Sequence, residues 1–382
     1  MKDLQAKRHS VEDQNRIGQD FSVVICTYTE KRWEQMHAAI NSARAQSMPA
    51  KEVIVVVDHN PSLYARLSVA LSGVRVVESS GAPGLSGAKN TGVALARGEI
   101  VAFLDDDAIA EPDWLRSFSD SFVDPHVIGV GGLVLPRWET QRPRWFPAEY
   151  DWVVGCNDSR MPPFRAQVRN LMGGNMSLRR EAFDLAGEFR NGIGRTVGKR
   201  PLGCEDTEFC IRLSHQAPTT LLLFESRAVI RHLVPAARCR FSYFTSRCFG
   251  EGLSKAVVVS IVGSRDGLSA ERDYTTRILP RGIVRNIIDL LHGDLWGLAR
   301  TGAIVTGLAV TVAGYIAGSL RKSEFKTPGP NRVTGRAGRV SQRTDRRKPS
   351  RARALVSSLT GTRMASADHS TLSQPEPDDR SR

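Results

Sequence analysis

The six cysteines of this 382-residue chain, at positions 26, 156, 204, 210, 239 and 248, form no Cys-x-x-Cys pair. A zinc site is therefore not expected. No charged-then-apolar leader opens the sequence, and with cysteines so spaced this points to reduced thiols in the cytoplasm. No repeat of solenoid period runs through it. Glycine is missing from Cys26-Thr27-Tyr28-Thr29-Glu30, directly after the first apolar run. A dinucleotide-binding turn needs Gly-x-Gly-x-x-Gly at that point, so a Rossmann dehydrogenase is ruled out. Positive charge is thin outside one stretch. The formal net charge is +13, yet residues 321 to 353 hold twelve Lys/Arg against two acids, which is +10 of the total. The remainder is mildly basic without an aromatic-laced basic groove, so a nucleic-acid-binding protein is a poor reading and no nucleic acid is expected as partner.

What the chain does have is 41% hydrophobic residues over a length that suits one large or two ordinary domains. Residues 1–20 read as a flexible polar arm. From there, apolar runs at 21–26, 53–57, 74–77 and 100–104 alternate with helical stretches near 32–45, 62–71 and 85–96. That alternation predicts an α/β fold with a mostly parallel central sheet flanked by helices. Ligands of such sheets sit beyond the carboxyl ends of the strands. Three polar signatures follow strands directly: Thr27-Tyr28-Thr29-Glu30, Asp58-His59-Asn60 and Asp105-Asp106-Asp107. The stretch 128–235, interrupted by Pro136, Pro143, Pro147, Pro162 and Pro163, reads as loop and short strand. Order returns at 171–178, with helices from about 179 and over about 204–215, and a short strand at 228–232. Residues 241–262 and 275–291 read as apolar helices. The division that results is an α/β domain over 21–235, a C-terminal helical extension over 236–298, an apolar segment over 299–320 and a disordered basic tail over 321–382.

Residues 301–320 are uncharged and long enough to cross a hydrocarbon core of about 30 Å. Gly302, Gly307, Gly314 and Gly318 make the segment only weakly apolar while suiting it to close helix packing. A single span would send the basic tail outward if the α/β domain is cytoplasmic, against the positive-inside bias. A hairpin with 283–298, a helix lying on an anionic membrane surface, and a soluble helix packed on the α/β domain all avoid that conflict.

The triplet Asp105-Asp106-Asp107 is the most informative feature. Three like charges on one turn repel, and a hard divalent cation with its phosphate ligand would neutralise them. An acidic turn or helix cap explains an isolated triplet equally well. Gly84 opens a further helix, where exposed amides favour anions, and Lys89 and Asn90 follow on its first turns. The pair Glu205-Asp206 stands at another helix start, a place where carboxylates also serve as caps.

Taken in order, Cys26-Thr27-Tyr28, Asp58, Gly84-Leu85-Ser86-Gly87-Ala88-Lys89-Asn90, Asp105 to Asp107, Gly173-Gly174-Asn175-Met176 and Cys204-Glu205-Asp206-Thr207-Glu208 resemble a family 2 glycosyltransferase of GT-A fold, of the non-processive bacterial type. The resemblance spans about 21 to 232. It implies metal-dependent, inverting transfer of a sugar from a nucleoside-diphosphate-sugar, UDP-sugar favoured, to a hydroxyl acceptor. That acceptor would be a glycan, a lipid-linked or a small molecule, in cell-surface glycan or glycolipid synthesis at the inner face of the cell membrane. By the same resemblance Asp206 is the general base, with Glu205 placing it. Thr27, Tyr28, Glu30, Asp58, Gly84, Lys89, Asn90, Asp105, Asp106, Gly174 and Asn175 surround the donor. Asp107 and His232 bind Mg²⁺ or Mn²⁺, and an imidazole ligand suits Mn²⁺ better. His59 stands where the family usually has a further acid, which leaves the base of the nucleotide open.

Processive members carry Gln-x-x-Arg-Trp after the base. The nearest stretch here is Ser246-Arg247-Cys248-Phe249, which argues for one sugar per encounter and against a polymer synthase. A sugar-1-phosphate nucleotidyltransferase shares the broad fold but needs a Gly-rich loop after the first strand, where this chain has none.

Overall fold

A computed structural model of the chain describes residues 20–158, 161–193 and 203–320. The arm expected ahead of Asp20 and the tail expected over 321–382 lie outside the described residues. Strands β1 (Phe21–Thr27), β2 (Glu52–Val57), β3 (Arg75–Glu78) and β4 (Ile100–Asp105) pair in parallel in the order β3-β2-β1-β4. Their branched side chains alternate: Val23, Ile25, Val53 and Val55 enter one buried layer, and Val24, Ile54, Val56 and Val101 the other. Period two with both faces apolar is what a strand sandwiched between helices requires. Helix α1 (Trp33–Arg44) covers the first layer with Met36, Ala39, Ile40 and Ala43, joined by Leu63 and Leu67 of α2 (Pro61–Ala70). Asn60 caps α2 by accepting from the Leu63 amide, and Pro61 starts it, where its missing N–H costs nothing. Helix α3 (Leu85–Leu95) lies on the opposite face with Ala88 in the second layer.

Beyond β4 the sheet is mixed. It continues through β5 (Ala108–Ala110), β6 (Val127–Trp138), β7 (Ala166–Gln167), β8 (Asn175–Arg179) and β9 (Leu221–Val234). β8 is antiparallel to β4 and to β6, β9 is parallel to β6, and β5 and β7 are antiparallel to β9. The parallel pairing expected from the sequence thus holds for the first four strands. β6 and β9 are full-length strands where loop and short strand were expected. Gly129, Gly132 and Pro136 disguise β6, because glycine and proline are poor strand formers. Crowding explains the first of them: a Cβ on Gly129 would lie 2.7 Å from Leu178 Cδ2.

Helix α4 (Trp114–Ser119) packs on β9, and α5 (Glu181–Ala186) on α6 (Glu205–Gln216). Three longer helices follow: α7 (Phe241–Val262), α8 (Leu279–Leu291) and α9 (Trp296–Leu320). Trp145, Phe146 and Tyr150 of the proline-broken stretch meet Phe244 of α7 with ring centroids 5.6, 5.7 and 5.1 Å apart. Small residues bring α9 close. Gly307 abuts Tyr150, Gly314 the Phe249 carbonyl and Gly318 Ala256, while Gly252 of α7 abuts the Thr311 carbonyl. Tyr150 Oη donates to the Ile304 carbonyl at 3.1 Å.

Candidate active site

The carboxyl ends of β1, β2 and β4 open onto a cavity of about 1010 Å³. The register explains why. Cys26 pairs with Asp105 and Thr27 with Val57, so Tyr28, Asp58 and the Asp105–Asp107 turn emerge at one level. Thr27, Tyr28, Asp58, Lys89, Asp105, Asp106 and Asp107 line the cavity on this side, with Gly173, Gly174, Glu205 and Asp206 across from them. The C-terminal helices close it with Tyr243, Arg247 and Lys255 of α7 and Leu308, Thr311 and Tyr315 of α9.

Each of the two buried aspartates of the triplet is held by cations. Asp106 accepts from Thr27 Oγ1 at 2.8 Å and from Arg32 Nη1 at 2.7 Å. Burial pushes its carboxyl up to about 6, against the pull of Arg32 and with the help of the neighbouring Asp107 charge. Burial alone would raise Asp107 too. The His232 ring, Arg32 at 3.2 Å and Arg238 at 3.6 Å overcome it and hold that carboxyl well below the usual carboxylate range. His232 Nδ1 lies 3.0 Å from Asp107 Oδ1, while Nε2 accepts from Arg238 Nη1 at 2.8 Å. The acceptor role of Nε2 puts the ring proton on Nδ1, facing the carboxylate.

Asp105, Asp107 and His232 each offer one ligand atom, all within 4.8 Å of one another. Two carboxylate oxygens with the cavity open beside them fit a divalent cation that keeps positions for phosphate, and His232 would join them through Nδ1 once the ring proton moves to Nε2 and Arg238 turns from it. Arg32 and Arg238 supply positive charge at Asp107.

Across the cavity, Asp206 stands on the first turn of α6. Its Oδ2 accepts from the Gly173 amide and its Oδ1 from the Thr207 amide, each at 2.7 Å. Burial and the adjacent Glu205 charge raise its pKa, opposed by Lys89 and by those two amides. Lys89 is buried, with Nζ 3.2 Å from Glu205 Oε1 and 5.3 Å from the centre of the Phe189 ring. Its charge is paired with Glu205 on the cavity wall. Gly173 and Gly174 separate the two groups of carboxylates: a Cβ on Gly174 would collide with the Asp105 carboxylate, and one on Gly173 would lie 2.7 Å from Lys89 Nζ.

Four residues expected around the donor do not line the cavity. Glu30 is exposed and accepts from Ser62 Oγ at 2.8 Å beside the start of α2. Gly84, at φ 120°, instead gives its amide to Asp58 Oδ2 at 2.9 Å, which leaves Asp58 on the cavity wall. Asn90 exchanges two 2.9 Å hydrogen bonds with the Phe189 backbone. Asn175 is fully buried. It donates to the Leu133 and Ala228 carbonyls and accepts from Trp114 Nε1, so β6, β8 and β9 are stapled by one side chain. Both amides are consumed by the fold, and a buried amide left unpaired would be costly. Arg32 and Arg238 went unread in the sequence. The only signals were position, four residues after Tyr28 and six after His232.

Residues 22–185 match the sequence profile described as "Glycosyl transferase family 2". A glucosyl-dolichyl phosphate glucuronosyltransferase of Haloferax volcanii is 32% identical over 241 residues, 62% of this chain and 76% of the relative. The succinoglycan biosynthesis protein ExoM of Rhizobium meliloti is 25% identical over 336 residues, 81% of this chain and 96% of that one. The chain belongs to glycosyltransferase family 2. It is a glycosyltransferase, and its mixed sheet flanked by helices is a GT-A fold. Among solved structures, a mannosyltransferase from Pyrobaculum calidifontis in complex with GDP-Man and Mn²⁺ is 19% identical, covers 80% of this chain and 87% of its own, and has a TM-score of 0.49.

Proposed function

We propose that the protein is a metal-dependent, inverting glycosyltransferase that moves a sugar from a nucleoside-diphosphate-sugar, UDP-sugar by preference, to a hydroxyl acceptor. The observation that carries this reading is the Gly173-Gly174 segment. Gly173 donates to Asp206 while the Gly174 carbonyl accepts from the Asp105 amide at 3.4 Å, so consecutive residues fix the two carboxylate groups on one cavity. Tyr28, exposed at the rim beside Arg32, offers a ring face for the nucleobase, and Asp58 a hydrogen-bond acceptor for base or ribose. Asp105, Asp107 and His232 would hold Mg²⁺ or Mn²⁺, which when bound offsets the charge that builds on the departing nucleoside diphosphate.

Asp206 supplies the base. In an inverting displacement the acceptor oxygen bonds to the anomeric carbon as the bond to phosphate breaks, and the acceptor proton passes to an Asp206 oxygen. A raised pKa makes this carboxylate a stronger base, and Lys89 with the two amides pulls against the rise. Glu205 holds Lys89 in place. The Haloferax relative is named for a lipid-phosphate-linked sugar, and the apolar wall of α9 suits an acceptor of that kind, in glycan or glycolipid synthesis. The test is a screen of nucleotide-sugars by thermal shift with Mn²⁺ present, followed by NMR of the product's anomeric configuration. One nucleotide class stabilising the chain only with metal, and inverted product, would support the reading; retained configuration would overturn it.

A further inference from the structure

Among the described residues seventeen large hydrophobic side chains are exposed, and eleven of them lie between Val284 and Leu320. On α8 they are Val284, Ile287, Ile288 and Leu291, spaced as one helical face. On α9 they include Leu298, Val305, Val312, Ile316 and Leu320, again one face, with Leu320 82% exposed. The arrangement inverts that of an ordinary surface helix. α9 turns glycines toward the protein and large aliphatics outward, where water would penalise them.

We propose that α8 and α9 form a membrane-docking face that lies in the plane of an anionic lipid bilayer and presents the cavity to it. Three observations commit the face to a bilayer. Residues 301–320 carry no charge, whereas residues 321–353, which follow directly, carry twelve Lys/Arg against two acids, the complement of anionic headgroups. The inner face of α9 is fastened along its length by the Tyr150 hydrogen bond and the contacts of Gly307, Gly314 and Gly318, which holds the helix on the protein rather than across a bilayer. Val312 is 47% exposed and also lines the cavity, next to Leu308, Thr311 and Tyr315. One helix thus separates lipid from active site, and an acceptor with an apolar tail reaches the cavity without leaving the bilayer. A second copy of the chain would cover the apolar face but would give the adjacent basic segment nothing to do.

The face is independent of the chemistry assigned to the cavity, and the test keeps the two apart. The full chain is floated with vesicles of phosphatidylcholine alone or with about one-third phosphatidylglycerol. Flotation with the anionic vesicles, weakened by salt, is expected. The double variant Ile287→Glu/Leu291→Glu should partition at least about tenfold less, with its melting temperature and its Mn²⁺-dependent shift by UDP unchanged. If the wild-type chain stays unbound with both vesicles, or the double variant floats equally well, the proposal is overturned. It is also overturned if the wild type is a vesicle-indifferent dimer that the double variant dissociates.

Discussion

His232 Nδ1 stands 3.0 Å from Asp107 Oδ1 because β5 and β9 pair with Ala108 opposite His232, and the Leu233 amide donates to the Asp107 carbonyl at 2.9 Å. Residues 125 positions apart are thereby set by a ladder of backbone bonds rather than by side-chain chance. The ring is then fixed from behind by Arg238 and covered by Gly155, where a Cβ would lie 2.9 Å from Nε2.

Asp107→Asn should lower kcat by roughly 10³-fold, the several kcal/mol expected when a cation at the leaving group is lost. The chain should stay folded. Thermal shift with UDP and Mn²⁺ checks the cause: the metal-dependent part of the shift disappears in the variant, as it does in wild type with excess chelator.

Asp206→Asn should cost about 10² to 10⁴ in kcat with little change in donor binding, the range for a missing general base. In the wild type the carboxylate must be ionised to act, so activity falls as pH drops through a value raised above the ordinary 3.8. Folding stability responds with the opposite sign. A raised pKa means the folded chain holds this proton more tightly than the unfolded one, so the contribution is favourable at low pH and is lost as pH rises through the window above 3.8. A pH profile of kcat for the wild type, with Asp206→Asn lacking the acid limb, is the measurement.

Gly174→Ala drives a methyl group into the Asp105 carboxylate. Overpacking of this kind costs about 1–3 kcal/mol, and here the strain falls on a proposed cation ligand. Weaker Mn²⁺ binding by titration is expected, together with at least about a tenfold loss of kcat/KM.

Asn175→Ala and Asn90→Ala separate scaffold from site. Each leaves backbone groups unpaired and should lower stability by about 1–3 kcal/mol in denaturant unfolding. Neither should change KM for the donor once the chain is folded. A large KM effect without loss of stability would return these residues to the donor site.

The first four strands, the turn Asp105–Asp107 and the start of α6 were legible because their signals are local: period-two branched residues, acids after an apolar run, acids at a helix start. The backbone bonds of Asn90 and Asn175 were not legible, because a polar residue inside a motif reads the same whether it faces ligand or backbone. Their partners, Phe189, Leu133, Ala228 and Trp114, are distant in sequence. Lys89 lines the cavity, but only the folded chain puts Glu205 against it. β6 was hidden by glycines whose need arises from neighbours on other strands.

By itself the sequence determined the α/β alternation, the acidic turn and the uncharged C-terminal helix, since each follows from periodicity or charge within a few residues. Tertiary structure alone decided that His232 faces Asp107, that Asp206 shares the Gly173-Gly174 segment with Asp105, and that α9 is both cavity wall and exposed apolar face. Those are relations between residues far apart in the chain, fixed by strand register and by close helix packing, and no local pattern encodes either.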